Sequence, residues 1–230
     1  MIMRICCRKT PPLPQNLCLG FQKFSAVGCV EPISASNMPP DKQTLLRLFL
    51  GIPLPEELLE QALAAQALLK SLNPGIRTSW VRPVQMHLTL KFLGDTSLNR
   101  MQRMVPKLER VFAQFQPLGL NLSEPGVFPK PESAQVVFWG LTPEVELLAM
   151  HKELEKVLET LGFAREKRAY HPHLTLGRIR QKLEAPYRLP AFFSSERPAS
   201  VWEAGQIELL QSELSSEGSR YTCLHRFRLG

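Results

Sequence analysis

The chain has 230 residues, of which 44% are hydrophobic, with five cysteines and a formal net charge of +7 at pH 7. No apolar run approaches the roughly 20 residues that a helix needs to cross a bilayer, and the length allows one large domain or two small lobes sharing a core. The basic surplus is spread along the chain and favours polyanions such as nucleic acid, nucleotides or acidic lipids, without requiring any of them.

Residues 1–43 have no sustained periodicity and are rich in Pro, Ser, Asn and Cys. They lack the continuous apolar region of a secretory signal, and their prolines spoil an amphipathic transit helix. They read as an extension outside the fold, with 44–230 as a single folded domain and Met38 as a candidate translation start. Cys6, Cys7, Cys18 and Cys29 lie in this extension, and Cys223 alone lies in the body. The body can therefore form neither an internal disulfide nor a Cys-x-x-Cys metal pair, which suits a reducing, cytoplasmic setting.

The body opens with "LLRLFLGIPLP", a short apolar run that reads as a buried strand. Pro55-Glu56 then starts a helix with Leu58, Ala62, Ala65 and Leu69 on one face. Proline costs nothing at a first helical position, and glutamate there suits the helix dipole. The loop "SLNPGIRTSW" leads to a strand in "VQMHLTLKFLGD". "LNRMQRMVPKLERVFAQF" has Leu98, Met101, Val105, Leu108, Phe112 and Phe115 at helical spacing, with Pro106 expected to kink the helix or mark a late start. "LGLNLSEPGVF" and "AQVVFWGL" read as strands.

Pro143-Glu144 opens another helix, with Leu147, Met150, Leu154, Val157, Leu158 and Leu161 on one face and Gly162 closing it. A second strand follows in "YHPHLTLGRIR". "SVWEAGQIELLQSEL" and "RYTCLHRFRL" complete the chain as strands, with a turn at "EGSR", residues 217–220.

Two stretches repeat: an apolar strand ending in Gly51 or Gly140, a Pro-Glu helix start, then the word HLTL at His87–Leu90 and at His173–Leu176. Two strand–helix–strand copies imply two similar lobes related by a pseudo-twofold axis. The expected class is α+β and bilobal, with two antiparallel or mixed sheets lining a central cleft and helices outside.

Alternation along a strand puts His87 and Thr89 on one face and Leu88 and Leu90 on the other, and does the same for His173 and Thr175 against Leu174 and Leu176. The leucines are core, so the polar pairs of the two lobes can meet across the cleft. Two imidazoles facing a small anion form an acid–base pair, since a pKa near 6.5 lets one ring be neutral and the other protonated. The neutral ring takes a proton from water, while the protonated ring gives one to a leaving oxygen on the far side of phosphorus. The Thr hydroxyls can donate to the non-bridging oxygens.

Other residues offer weaker signals. His171 and His173 could ligate a metal, but the first word has no matching histidine and neither has a carboxylate. His171 otherwise reads as a rim residue, His151 as packing and His225 as structural. Arg165, Lys167, Arg168 and Lys91 form a candidate phosphate-attracting rim, while Trp80, Phe92, Phe128 and Trp139 are candidates for stacking on a base or for the core. Arg178 falls on the face opposite His173 in a regular strand, so reaching the cleft requires a bulge or the end of the strand. The residues alone leave RNA, a small cyclic nucleotide, hydrolysis, joining and simple nucleotide binding all open.

At "RLFLGIPLPEEL", "WVRPVQMHLTLKFLGD", "GVFPKPESAQVVFWGL", "HPHLTLGRIR" and the C-terminal strands, the sequence resembles the 2H phosphoesterase superfamily, in its RNA 2′,3′-cyclic phosphodiesterase (2′-5′ RNA ligase-like) branch. The resemblance covers roughly residues 45–229. It implies a bilobal fold with a basic cleft, no cofactor and no metal. It further implies opening of an RNA terminal 2′,3′-cyclic phosphate to a 2′-phosphate. His87 would be the proton donor and His173 the acceptor, with Thr89, Thr175 and Arg178 on the phosphate. RNA ends or nucleotides carrying the cyclic phosphate would be the partners, with no membrane and no obligate protein partner; the pseudo-twofold supplies internally what a dimer would otherwise provide, so a monomer is expected.

Overall fold

A computed structural model describes residues 45–142, 145–190, 202–215 and 218–230. The 1–43 extension and the Pro143-Glu144 helix start lie outside the described residues. The strands are β1 (Leu45–Pro53), β2 (Thr78–Trp80), β3 (His87–Ser97), β4 (Leu118–Phe128), β5 (Val136–Thr142), β6 (His173–Ile179), β7 (Trp202–Ala204), β8 (Gln206–Ser215) and β9 (Gly218–Arg228). The helices are α1 (Glu56–Leu72), α2 (Leu98–Phe112) and α3 (Val145–Thr160). Among the described residues no helix is long and apolar enough to cross a membrane.

The strands follow the order β7-β4-β5-β6-β3-β1-β8-β9, with β2 paired to β6. The described pairings are antiparallel. The order divides into two four-stranded halves meeting at β6 and β3. A single bridging pair, Leu88 with Leu174, joins them. The two expected sheets are therefore halves of one continuous sheet, and the HLTL strands lie side by side at its centre. "SVWEAGQIELLQSEL" is not one strand: Gly205 separates β7, which pairs with β4, from β8, which pairs with β1 and β9. One residue links β7, at one end of the strand order, to β8, the last but one at the other, which requires the sheet to curl. Of the turn expected at 217–220, Gly218 to Arg220 instead belong to β9 and pair with Ser215 to Glu213 of β8.

The helices pack across the repeat. The α1 face of Ala62, Ala65 and Leu69 joins the cluster of Leu174 and Leu176 on β6. The α3 face of Leu147, Met150, Leu154 and Leu158 joins Leu88 and Leu90 on β3. Each repeat thus backs its partner's HLTL strand. Pro55 is the N-cap and not the first helical residue, although its missing N–H is harmless at either place. Pro106 lies inside α2, which starts at Leu98 after a Ser97 cap that accepts from the Arg100 N–H. Of the two expectations for Pro106, a kink or a late start, the late start is absent.

Polar side chains reach through these cores to the HLTL strands. Gln66 of α1, 4% exposed, donates from Nε2 to the carbonyls of Val81 (2.8 Å) and Leu176 (2.9 Å). Gln66→Leu is expected to cost about 1–3 kcal/mol, since two hydrogen bonds from a buried side chain vanish. A fall in the urea midpoint at constant m-value would measure it. Lys91, expected on a rim, is instead buried. Its Nζ lies 2.7 Å from Glu155 Oε1 and 2.9 Å from the Ala164 carbonyl. The other Glu155 oxygen accepts from the Glu166 N–H at 3.0 Å.

Candidate active site

Around the Leu88–Leu174 bridge the antiparallel register sets His87 across from Thr175 and Thr89 across from His173. Leu88 and Leu174 are buried, whereas the four polar residues are partly exposed on the opposite face. In such a ladder, directly opposed Cβ atoms are about 5 Å apart and diagonal pairs about 7–8 Å. His87 and His173 are diagonal neighbours across the Leu88–Leu174 bridge.

Each word ends in a bulge. On β3, Thr89 pairs with Gly51 and Lys91 with Leu50, so Leu90 has no partner in that ladder. On β6, Thr175 pairs with Phe138 and Gly177 with Val137, so Leu176 is skipped likewise. One inserted residue reverses the alternation. Lys91 and Gly177 therefore turn inward, and Phe92 and Arg178 turn outward. Arg178 consequently shares the face of His173, and its charge contributes to lowering the pKa of that ring. A Cβ on Gly177 would meet Thr78 Cγ2 at 2.8 Å, so only glycine lets β2 approach so closely.

Both imidazoles are held from behind by the carbonyl two residues earlier. His173 Nδ1 lies 2.8 Å from the His171 carbonyl. Donation from Nδ1 leaves a lone pair on Nε2, the arrangement that a proton acceptor needs. His87 has the corresponding bond to the Gln85 carbonyl. Aromatic rings flank each histidine: Phe49 and Tyr221 at 4.7 Å and 5.3 Å from His87, Phe128 and Phe138 at 5.3 Å and 5.4 Å from His173. Burial among them lowers the His87 pKa to about 4, partly opposed by the Gln85 bond. Burial is also the main cause lowering that of His173, with the His171 carbonyl opposing and Arg178 and His171 adding.

Of the other candidates, Trp139 is core, donating to the Ser123 carbonyl, and Phe92 is 67% exposed beside the site. Trp80 lies under the Lys70 ammonium at 5.2 Å. His151 stacks on Tyr170 at 4.0 Å, and the Tyr170 hydroxyl donates to the Thr89 carbonyl at 3.1 Å. His225 meets Glu109 at 3.0 Å on the surface. Among the described residues no group of three or more His, Cys, Asp or Glu side chains is placed to hold a metal ion.

Phe128 was a candidate for stacking or core and lies against His173, whereas Phe49, Phe138 and Tyr221 were not anticipated. A signal existed: Phe49 and Phe138 occupy the same place in "LFLGIP" and "VFWGLT". Tyr221 had none, because only the curl of the sheet brings β9 to His87.

The profile of the 2′-5′ RNA ligase superfamily matches residues 55–215, spanning both HLTL words. The chain belongs to that superfamily. An Archaeoglobus fulgidus relative named RNA 2′,3′-cyclic phosphodiesterase is 31% identical over 182 residues, covering 79% of this chain and 99% of the relative. The crystal structure of TT0787 of Thermus thermophilus superposes with a TM-score of 0.68 at 29% identity, covering 80% of this chain and 98% of that one. Escherichia coli LigT, crystallised with 3′-AMP, gives 0.66 at 27% identity with the same coverage. These solved structures share this chain's α+β fold.

Proposed function

We propose that this protein hydrolyses the 2′,3′-cyclic phosphate at the end of an RNA to a 2′-phosphate, with His87 and His173 as the acid–base pair. The observation that carries this reading is the pairing of the two HLTL strands about Leu88 and Leu174, which sets both imidazoles and both hydroxyls on one partly exposed face. The name of the Archaeoglobus relative and the nucleotide in the LigT crystal support it. His173 Nε2 takes a proton from water, whose oxygen attacks phosphorus. The P–O3′ bond breaks, and His87 gives its proton to O3′. Thr89 and Thr175 donate to the non-bridging oxygens, and Arg178 offsets the charge that develops there. Phe92, exposed on the same face, offers a surface for the terminal base. No step calls on a metal ion, a second copy of the chain or a membrane, and the reading is of a cytoplasmic monomer.

The test is product analysis on an oligoribonucleotide ending in a 2′,3′-cyclic phosphate, with a 2′,3′-cyclic mononucleotide in parallel and EDTA present. A 2′-phosphate end is expected. A 3′-phosphate end would reverse the leaving group, and loss of turnover in EDTA with recovery on zinc would replace the mechanism.

Both pKa values lie below 6.5, so both rings are neutral at pH 7. The acid must gain a proton, and a bound anion favours it. The profile of kcat/KM reports the free enzyme and that of kcat the complex. The alkaline limb of kcat/KM is expected below pH 6.5, and that of kcat at higher pH. Coincident limbs would contradict this.

A further inference from the structure

The two ends of the histidine cleft differ. Equivalent positions after the bulges hold Phe92 on β3 and Arg178 on β6. Beyond Arg178 the positive charge continues. Ser79 of β2 pairs with Arg178, and the Arg180 N–H donates to the Arg77 carbonyl at 2.8 Å, which sets Arg77 opposite Arg180. Arg77, Ser79, Arg178 and Arg180 are all exposed, while Ile179 between the arginines is buried. Alternation from Arg178 thus puts three guanidinium-bearing residues and one hydroxyl on the face that His173 and Thr175 occupy.

Hydrogen bonds tie the backbone of the patch together. Arg77 Nη2 reaches the Arg180 carbonyl at 3.5 Å, and the Arg77 N–H donates to Gln181 Oε1 at 2.9 Å. Among the described residues, no carboxylate forms an ion pair with Arg77, Arg178 or Arg180. A solvated face of mixed charge would explain isolated arginines. Three like charges on adjacent strands repel one another, and the fold gains nothing from them that lysine–glutamate pairs would not supply. Arg178 and Arg180 are two residues apart, about 6.6 Å along a strand, on the order of one nucleotide step in an extended single strand.

We propose that Arg77 and Arg180, continuing from Arg178, form a track for the phosphodiester groups of an RNA strand upstream of its cyclic end. This rests on the reading of the site given above. Arg178 stands nearest the terminal phosphate; Arg180 and Arg77 hold the groups that precede it, with Ser79 available as a hydroxyl donor. The track makes the cleft polar: base towards Phe92, strand towards the arginines. It distinguishes RNA ends from cyclic mononucleotides, which have no upstream phosphate.

The test compares wild type with Arg77→Gln, Arg180→Gln and the double variant on two probes, a short oligoribonucleotide ending in a 2′,3′-cyclic phosphate and a 2′,3′-cyclic mononucleotide. The ratio of kcat/KM for oligonucleotide over mononucleotide is expected to fall at least about tenfold in the double variant. The slope of log(kcat/KM) against log[salt] for the oligonucleotide should flatten by about 0.7 for each phosphate that is no longer neutralised. Arg77→Lys with Arg180→Lys should keep most of the slope, separating charge from any change in folding. An unchanged ratio and slope, or an equal loss on both probes, would overturn the track while leaving the hydrolase reading intact. A wild-type protein that opens neither probe removes that reading, and the track with it.

Discussion

His87→Ala and His173→Ala are each expected to lower kcat by about 10²–10⁴-fold on a cyclic-phosphate RNA while the protein stays folded. Neither ring lies in the two apolar clusters, and each projects from a strand whose neighbouring leucines make the core contacts. Removing an imidazole therefore removes a proton carrier more than a packing element. KM should change less than kcat, because the hydroxyls of Thr89 and Thr175 and the Arg178 charge still meet the phosphate. The double variant should be little worse than either single one, since an in-line displacement that has lost one proton transfer gains little from the other. Circular dichroism and single-turnover rates check both halves of the expectation. Multiplicative losses would point to histidines acting independently, and retained turnover in either single variant would remove that ring from the mechanism.

Lys91→Met should destabilise the protein by about 3–5 kcal/mol. The side chains of Lys91 and Glu155 are 9% and 6% exposed, and their charged atoms are 2.7 Å apart. Removing the lysine leaves a buried carboxylate whose remaining described partners are the Glu166 N–H and the more distant His151 Nε2 at 3.9 Å. Lys91→Met with Glu155→Leu should recover most of the loss, since two apolar groups of similar size need no desolvation. Urea unfolding of the two single variants and the double variant closes the cycle. A cost below about 1 kcal/mol for Lys91→Met would mean that water reaches the pair. The pair also ties α3 and residues 164–166 to β3, just ahead of the stretch in which Tyr170 bonds to the Thr89 carbonyl. Folded protein carrying the double substitution should therefore show a reduced kcat even where its stability is restored.

Local pattern determined much of this. The period-two alternation of HLTL assigns leucine inward and His and Thr outward whatever the strand pairs with, because side chains on a pleated strand have only two sides. The helical faces of α1 and α3 were legible for the same reason: Leu58, Ala62, Ala65 and Leu69, and Leu147, Met150, Leu154 and Leu158, are buried as their spacing requires. Repetition of strand, helix and HLTL in one chain also supplied the pseudo-twofold plan.

What pattern could not carry was anything set by a partner distant in sequence. Lys91 looks like a surface lysine until α3 brings Glu155 beneath it. Arg178 looks misplaced until the β5–β6 ladder skips Leu176, because a bulge is a property of two strands and not of one. The crossing of α1 and α3 to opposite halves, the split at Gly205 and the approach of Tyr221 to His87 all follow from the curl of one continuous sheet. The sequence alone thus determined which residues could do the chemistry, since that depends on side-chain type and on which side of a strand it emerges. Only the tertiary structure decided which of them share a face and what surrounds them, because register, bulges and burial arise from contacts between segments far apart in the chain.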